Sequence, residues 1–306
     1  MIPIALLIAL GHGMRSRRFV EDAVWPGIER LTYFILFPAL LLSSLAKANL
    51  TGLPVWPMMA AEAGGVIVMA ATAVVFRRRL GRAPFRLDGP GFTSLFQCLQ
   101  RPNTYVGLAA AAGLWRTEGL ALLAICVAMV VPLVNLFSVL AMVLWGEGRG
   151  GGRLRWRSIL LPIVSNPLIV ACLGGMVLNV TGIGIPVAVG PFLDILGAAS
   201  LALGLLAVGV GLNLGSLSSA GASALLALLG KMVLLPALVW GLGRLAGLDG
   251  MPLAVAVTYA ALPASPSSYV LARQMGGDAP LVASILTIQT MAAALILPAW
   301  VMMVGG

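Results

Sequence analysis

A short polar segment interrupts one of the most apolar stretches of the chain. The stretch runs from about residue 91 to 114, and Arg101, Pro102, Asn103 and Thr104 lie near its middle. A helix that crosses a bilayer needs roughly 20 apolar residues, and proline breaks or kinks such a helix. An arginine at the centre of such a helix costs about 2.5 to 3.5 kcal/mol on insertion scales. Arg101 must therefore face an anionic group or water. A carboxylate is a suitable ligand, because the planar guanidinium can bind it with two hydrogen bonds.

A related polar segment returns about 160 residues later, in the apolar stretch from about residue 252 to 275. Its residues are Pro266, Ser267, Ser268 and Tyr269. Pro102 and Pro266 match at a shift of 164 residues, and other short matches recur at shifts of 162 and 163. Interrupted helices in two matching halves point to a substrate site, and the N-termini of half-helices favour an anion. We expect the two segments to cross at their prolines, with Asn103 and Ser267 facing the substrate.

Glu62 is an alternative partner for Arg101. It lies deep in an early apolar stretch, so a structural Arg101–Glu62 pair competes with the substrate site as an interpretation. Glu62 is also a candidate protonation site for a proton-coupled cycle, because burial disfavours the charged form of a carboxyl group. Lys231 and Asp194 could pair with each other or lie near the ends of spans. Secondary polar candidates within apolar stretches are Gln97, Asn135 and Gln289.

The composition indicates an integral membrane protein. Hydrophobic residues make up 60% and charged residues 9% of the 306 residues, and the mean hydropathy is +1.04. Too little polar surface is present for a soluble protein of this size. The net charge of +9 comes from arginines in short clusters between apolar runs, which is typical of loop ends that set membrane orientation. We therefore expect membrane lipids, and no nucleic acid, as partners.

Neither the cysteines nor any recognised motif supports a cofactor, a metal site or an enzymatic reaction. Cys98, Cys126 and Cys172 lie inside apolar runs without CxxC spacing, which favours buried small side chains over disulfides or metal binding. The sequence contains no HExxH or GxSxG motif, and the residues before Asp278 do not form a GxGD protease motif. We expect a protein that is not an enzyme and that binds no cofactor or metal.

Ten apolar stretches predict an all-α integral membrane protein with ten transmembrane helices. Five lie in residues 1–145 and five in residues 158–306, separated by a short basic segment at 146–157 that suits a cytoplasmic linker. Because five spans are an odd number, the second half must enter the membrane from the opposite side, as an inverted repeat. The first stretch is short, which suggests a start upstream of Met1. The approximate positions are 1–10, 27–46, 54–76, 91–114, 119–145, 158–179, 190–213, 222–246, 252–275 and 280–303.

Clusters of arginine predict the orientation in the membrane. They follow the first, third and fifth stretches, at 15–18, 77–86 and 149–157. The alternate loops carry only Lys47, Arg116 and Arg244. By the positive-inside rule the arginine-rich loops are cytoplasmic, so we expect a multi-pass protein of the inner membrane with both termini in the periplasm.

Five motifs, in order along nearly the whole chain, resemble those of one family. They are residues 37–41 (FPALL), 101–108 (RPNTYVGL), 132–135 (PLVN), 166–167 (NP) and 276–278 (GGD). With these motifs the chain resembles the auxin efflux carrier family of secondary transporters, in its bacterial branch.

The resemblance implies a fold and a mechanism. The plant PIN-FORMED carriers and the related bile acid sodium symporters share a ten-helix inverted repeat with a scaffold domain and a transport domain. The resemblance implies a homodimer with elevator-type alternating access, and substrates such as malonate, malate or other small carboxylates. It assigns the crossover prolines to Pro102 and Pro266 and the neighbouring amide to Asn103. Ser267 stands where a second amide would make the site symmetrical.

Three alternatives remain open at this stage. One is a sodium-coupled symporter of the bile acid type, which would predict acidic and amide side chains at the crossing. The amides Gln97, Gln100 and Gln289 are present without an acid, so we favour protons over sodium as the coupling ion. The other two are a channel and a transporter-like sensor, which share the same sequence signals.

Overall fold

The computed structural model describes residues 2–48, 53–146, 165–215 and 221–305, and helices dominate these ranges. One isolated antiparallel bridge, between Pro102 and Ala264, connects two of the helix interruptions. The helices are α1 (Ile2–Ser16), α2 (Trp25–Lys47), α3 (Val55–Leu80), α4 (Gly89–Cys98), α5 (Thr104–Trp145), α6 (Pro167–Val180), α7 (Val189–Val210), α8 (Gly221–Leu245), α9 (Gly250–Ala260), α10 (Ser267–Met275) and α11 (Ala279–Val304).

Six of these helices, α2, α3, α5, α7, α8 and α11, are long and apolar enough to cross a membrane. Three shorter apolar helices, α1, α6 and α9, accompany them. This content supports the predicted helical, multi-pass membrane protein, while the ten-span inverted repeat stays a prediction. The predicted linker at 146–157, except Gly146, and the first residues of the span predicted from 158 lie outside the described residues.

The two stretches predicted to be interrupted are each divided in the structure. The first contains α4 and the start of α5, and the second contains α9 and α10. A further break lies inside α5 at Arg116, whose backbone has φ 53° and ψ −139°. This break falls between the fourth and fifth predicted spans and separates α5 into a first and a second arm.

Two helices contain a π-helical turn shortly before a proline. Proline has no backbone N–H to donate to the preceding turn, so the helical hydrogen bonding there is locally disturbed. In α2 the N–H of Phe37 bonds to the carbonyl of Thr32, five residues back, just before Pro38. In α8 the π turn spans Gly230–Leu234, before Pro236. Such turns are frequent at functional sites, and both turns contain residues that are described with the candidate site below.

The helices pack into two groups. The α7 group contains α1, α2, α6 and α7, and the crossing group contains α3, α4, α5 and α8 to α11. The principal contacts between the groups all involve α5. Within the α7 group, α1 and α7 meet backbone to backbone, because Gly11 faces the carbonyl of Leu206 and Gly209 faces that of Ile8. Small residues at such contacts are typical of helix pairs in membranes.

Candidate functional site

The two interrupted helices cross through their extended connections. The N–H of Asn103 donates to the carbonyl of Pro263 at 2.8 Å, and the N–H of Ser265 donates to the carbonyl of Arg101 at 3.2 Å. These bonds satisfy backbone groups that a helix would otherwise have paired. The structure thus brings the two polar segments together, as the sequence predicts.

The crossing differs from the prediction in its second residue. Pro102 pairs with Ala264, whereas Pro266 lies two residues farther along, at the N-cap of α10. The reason lies in the hydrogen bonds, because an antiparallel pair centred on Ala264 places the N–H of Ser265 opposite an acceptor. Pro266 has no N–H to offer. Pro266 therefore begins the half-helix and does not form the crossing itself.

Arg101 is held at the crossing by neutral partners. Its side chain is buried, with 9% of its surface exposed. Nη1 donates to Ser267 Oγ at 3.0 Å and Nη2 donates to Asn135 Oδ1 at 2.5 Å, while the buried Nε has no partner. The two ion pairs in the described part of the chain are Arg15–Asp22 and Lys47–Asp194. Arg101 is thus a buried cation whose counter-charge is not supplied by the described residues.

A cavity of about 990 Å³ opens beside this guanidinium. Its walls come from the first turns of α2, the second arm of α5 and one face of α10, and most of its surface is apolar. Besides Arg101, the charged residues that line it are Glu29 and Arg30 of α2. Of the residues predicted for the site, the cavity is lined by Arg101, Pro102, Thr104, Asn135, Pro266 and Ser267.

Three helix N-termini face the same cavity. Thr104 begins α5 and Ser267 begins α10, and Asn166 precedes α6. The Oδ1 atom of Asn166 accepts hydrogen bonds from the N–H groups of Leu168 at 3.0 Å and Ile169 at 3.4 Å. The positive ends of the three helix dipoles add to the charge of Arg101 and favour an anion.

Asn103 has a different position from the one predicted. Its side-chain oxygen accepts from the N–H groups of Tyr105 at 3.1 Å and Val106 at 3.4 Å, so it caps α5 and is buried. Capping is the common use of asparagine at this position. Asn103 therefore shapes the site through the backbone, and it is not among the residues that line the cavity.

Glu62 and Arg101 do not form one of the ion pairs of the described residues, so the structure gives no support to the alternative Arg101–Glu62 pair. Glu62 is buried on α3, 2% exposed, with Oε1 unpartnered, and the groups that act on it are Lys231 and Cys126. Lys231 is 1% exposed and donates to the carbonyl of Ala260, the last residue of α9, at 2.7 Å. Helix α3 packs on α8, and the charge of Lys231 in the α8 π turn acts on Glu62, although the two do not form one of the ion pairs of the described residues.

Asp194, the other residue considered as a partner for Lys231, lies elsewhere. Its carboxylate accepts from Lys47 Nζ at 2.6 and 2.7 Å and from Ser43 Oγ at 2.7 Å. This exposed ion pair joins α2 to α7. Asp194 therefore pairs with Lys47 and not with Lys231.

The remaining predicted residues support the crossing or lie outside the cavity. Gln289 accepts from the N–H of Ala264 at 2.7 Å and donates to the carbonyl of Ala227 at 2.8 Å, so it fixes the crossing to α8. The side chains of Gln97 and Ser268 are buried without a hydrogen-bond partner. Tyr269 is 37% exposed and does not line the cavity. Within the described ranges, no group of three or more His, Cys, Asp or Glu residues could hold a metal ion.

Several cavity residues were not among the predicted ones. Tyr33 and Phe34 of the α2 π turn and Tyr105 of α5 contribute aromatic wall, and their spacing alone did not distinguish a wall from packing. The start of α6 did carry a signal. An asparagine followed by proline is typical of a helix N-terminus, so Asn166 and Pro167 could have been added to the anion-facing ends.

Comparison with known proteins finds a family match in the second half of the chain. No curated protein matches the chain closely enough to serve as a relative. Residues 153–301 match the family described as membrane transport protein. The matched region contains α6 to α10 and most of α11, including the second segment of the crossing. The match over residues 153–301 supports membership of the auxin efflux carrier family, which the motifs of the chain resemble.

Proposed function

We propose that this membrane transporter carries organic anions and binds the carboxylate of its substrate on Arg101. The observation that supports this most directly is the buried guanidinium, which is hydrogen-bonded only to neutral groups. A buried charge without a counter-ion is costly. A carboxylate entering the cavity would supply the missing charge beside the guanidinium of Arg101, which lines it.

The cavity favours a substrate with one anionic group and an apolar body. Its volume of about 990 Å³ lies at the upper end of the usual range for small-molecule sites. The apolar wall adds affinity for hydrocarbon or aromatic groups. We therefore include larger aromatic and aliphatic acids beside malonate and malate as candidate substrates.

We further propose alternating access of the elevator type. The arrangement that supports it is the division into an α7 group and a crossing group that contact each other mainly through α5. In this proposal the crossing group carries the anion while the α7 group stays in place, as scaffold of a homodimer. The ten-span inverted repeat, the inner membrane and the periplasmic termini belong to the same proposal.

Glu62 is the proposed site of proton coupling, under the electrostatic influence of Lys231 and not of Arg101. Protonation of Glu62 would remove the charge that Lys231 faces at the end of α9, next to the crossing. A change there could bias the position of the crossing group. Glu62→Gln is expected to abolish stimulation of uptake by a pH gradient, and stimulation by a sodium gradient would favour the sodium-coupled alternative.

Uptake into proteoliposomes tests the transport function. Purified protein should accumulate labelled malonate, malate or an indole carboxylate in a saturable manner, and Arg101→Ala should abolish accumulation. Arg101→Lys, which keeps the charge but loses the planar fork, should retain a small fraction. Normal transport by Arg101→Ala would refute the assignment of the site, and non-saturable flux would indicate a channel.

Ligand binding provides a measurement that is independent of transport. A ligand that binds the native state raises its apparent thermal stability. The candidate acids should raise the melting temperature of the wild type and leave that of Arg101→Ala unchanged.

A further inference from the structure

An aromatic stack connects the two helix groups beside the anion cavity. Phe37 of α2 and Tyr105 of α5 have ring centroids 4.7 Å apart and ring planes inclined by 23°. The other ring pairs in the described ranges lie within α2, within α4, or between α4 and α5. Among these pairs, the Phe37–Tyr105 stack alone joins the α7 group to the crossing group.

Gly204 of α7 provides the space that this stack needs. A Cβ atom at Gly204 would lie 2.7 Å from Cζ of Phe37 and 3.6 Å from Cβ of Tyr105. Phe37 is fully buried, so its ring cannot move away without disturbing its neighbours. The backbone of α7 therefore fixes the ring of Phe37 against Tyr105, and three helices meet at one contact.

Tyr105 also belongs to the substrate site. It lies in the first turn of α5, its N–H bonds to the side chain of Asn103, and it lines the cavity. Phe37 does not line the cavity. Any effect of Phe37 on a bound anion must therefore act through Tyr105 and the half-helix that begins at the crossing.

We propose that Phe37 is a positioning residue for transport, acting through its stack on Tyr105. The stack holds the first turn of α5 against α2 and α7, and it must part whenever the crossing group moves along the α7 group. This inference rests on the alternating access proposed above. Weakening the stack shifts the balance between the two arrangements of the groups. The strength of such ring pairs corresponds to about a two- to tenfold shift.

Transport kinetics provide the first test. Phe37→Leu should change the maximal rate of carboxylate uptake by about two- to tenfold, with half-saturation changed by less than about twofold, because the residue does not touch the ligand. If Phe37 only stabilised the fold, Phe37→Leu would lower the amount of folded protein. The maximal rate per folded molecule would then stay at the wild-type value.

Phe92→Leu is the matched control. It removes a buried ring that pairs with Trp145 at 5.2 Å, but this pair lies inside the crossing group. The rate per folded molecule should stay at the wild-type value. An equal change of rate in Phe37→Leu and Phe92→Leu would overturn the proposal.

Labelling of the cavity gives a readout that does not depend on transport. Val270→Cys introduces a thiol that lines the cavity, whereas the native Cys98, Cys126 and Cys172 are buried. Its reaction rate with a polar maleimide should change by about two- to tenfold when Phe37→Leu is added, and should not change when Phe92→Leu is added. Unchanged labelling would overturn the proposal.

The same measurement separates this inference from the proposed function. Altered labelling in a protein that moves none of the tested acids would support the stack and refute the carboxylate substrate. If Phe37→Leu does not fold, Gly204→Ala provides the second variant, because its methyl group displaces the ring of Phe37. It should alter labelling at Val270→Cys, and labelling at the wild-type rate would again overturn the proposal.

Discussion

Arg101 and Asn135 form a 2.5 Å hydrogen bond between the interruption of one helix and the second arm of the next. The acceptor is the Oδ1 atom of Asn135, so the amide keeps its two N–H donors for other partners. Together with Ser267 Oγ, it fixes the direction of the guanidinium. The bond orients the cation without neutralising it, which leaves the charge for a ligand.

Asn135→Asp should abolish anion binding while preserving the geometry. The new carboxylate would form an ion pair with Arg101 and so take the place that we assign to the carboxylate of the substrate. Hydrogen bonds to charged groups contribute about 1.5 to 3 kcal/mol, so affinity for a carboxylate should fall about tenfold or more. Thermal-shift titration with the transported acid measures this loss.

The control for added negative charge is Thr181→Asp. Thr181 is exposed directly after α6 and lies outside the cavity. Its affinity should equal that of the wild type. Retained affinity in Asn135→Asp would show that the ligand does not depend on the charge of Arg101.

Glu62 and Lys231 should behave as a coupled unit in stability, because both are buried and each acts on the other through its charge. Lys231→Met removes this charge together with the hydrogen bond to Ala260, so the free energy of unfolding should fall by more than an exposed pair contributes, about 0 to 1 kcal/mol. The double variant Glu62→Gln/Lys231→Met should recover most of this loss, because no charge remains buried. Unfolding of the detergent-solubilised variants measures both effects.

A solvent-accessible pair provides the matched comparison. Lys47→Met removes the ion pair with Asp194, whose side chains are 41% and 55% exposed. Exposed pairs contribute about 0 to 1 kcal/mol, so this variant should unfold close to the wild type. Similar losses for Lys231→Met and Lys47→Met would contradict the buried pair.

The contact between α1 and α7 should be sensitive to a single methyl group. Gly209→Ala directs a Cβ atom at the carbonyl of Ile8, and overpacking of this kind costs about 1 to 3 kcal/mol. Gly13→Ala is the control, since a Cβ atom there meets nothing within 4 Å. We expect a lower melting temperature for Gly209→Ala only, and equal values for both variants would disprove the close contact.

The crossing was predictable because it depends on local chemistry. Proline within an apolar stretch interrupts a helix whatever surrounds it, so Pro102 and the second segment marked the break points correctly. The register of the crossing was harder to predict from the sequence. The choice between Ala264 and Pro266 as the residue opposite Pro102 depends on which N–H groups find acceptors across the crossing, and this is decided by both segments together.

The partners of the buried charged groups also could not be predicted from the sequence. Arg101 and Glu62 are charged residues within apolar stretches of the sequence, and a pair between them is the simplest expectation. In the structure Arg101 instead donates to Asn135, and Lys231 is the positive charge that acts on Glu62, because helix packing decides which faces meet. Asn103 illustrates the same limit, since capping a helix and facing a substrate use the same side-chain oxygen.

The break at Arg116 makes the site sensitive to chain length. Asn135 reaches Arg101 only because the second arm of α5 returns to the crossing at the correct rotation about its own axis. Each residue of an α-helix turns the chain by about 100°, so one residue inserted or deleted between Arg116 and Asn135 would direct the amide away from the guanidinium. Eighteen residues lie between the two positions, and this interval should tolerate changes of side chain far better than a change in the number of residues.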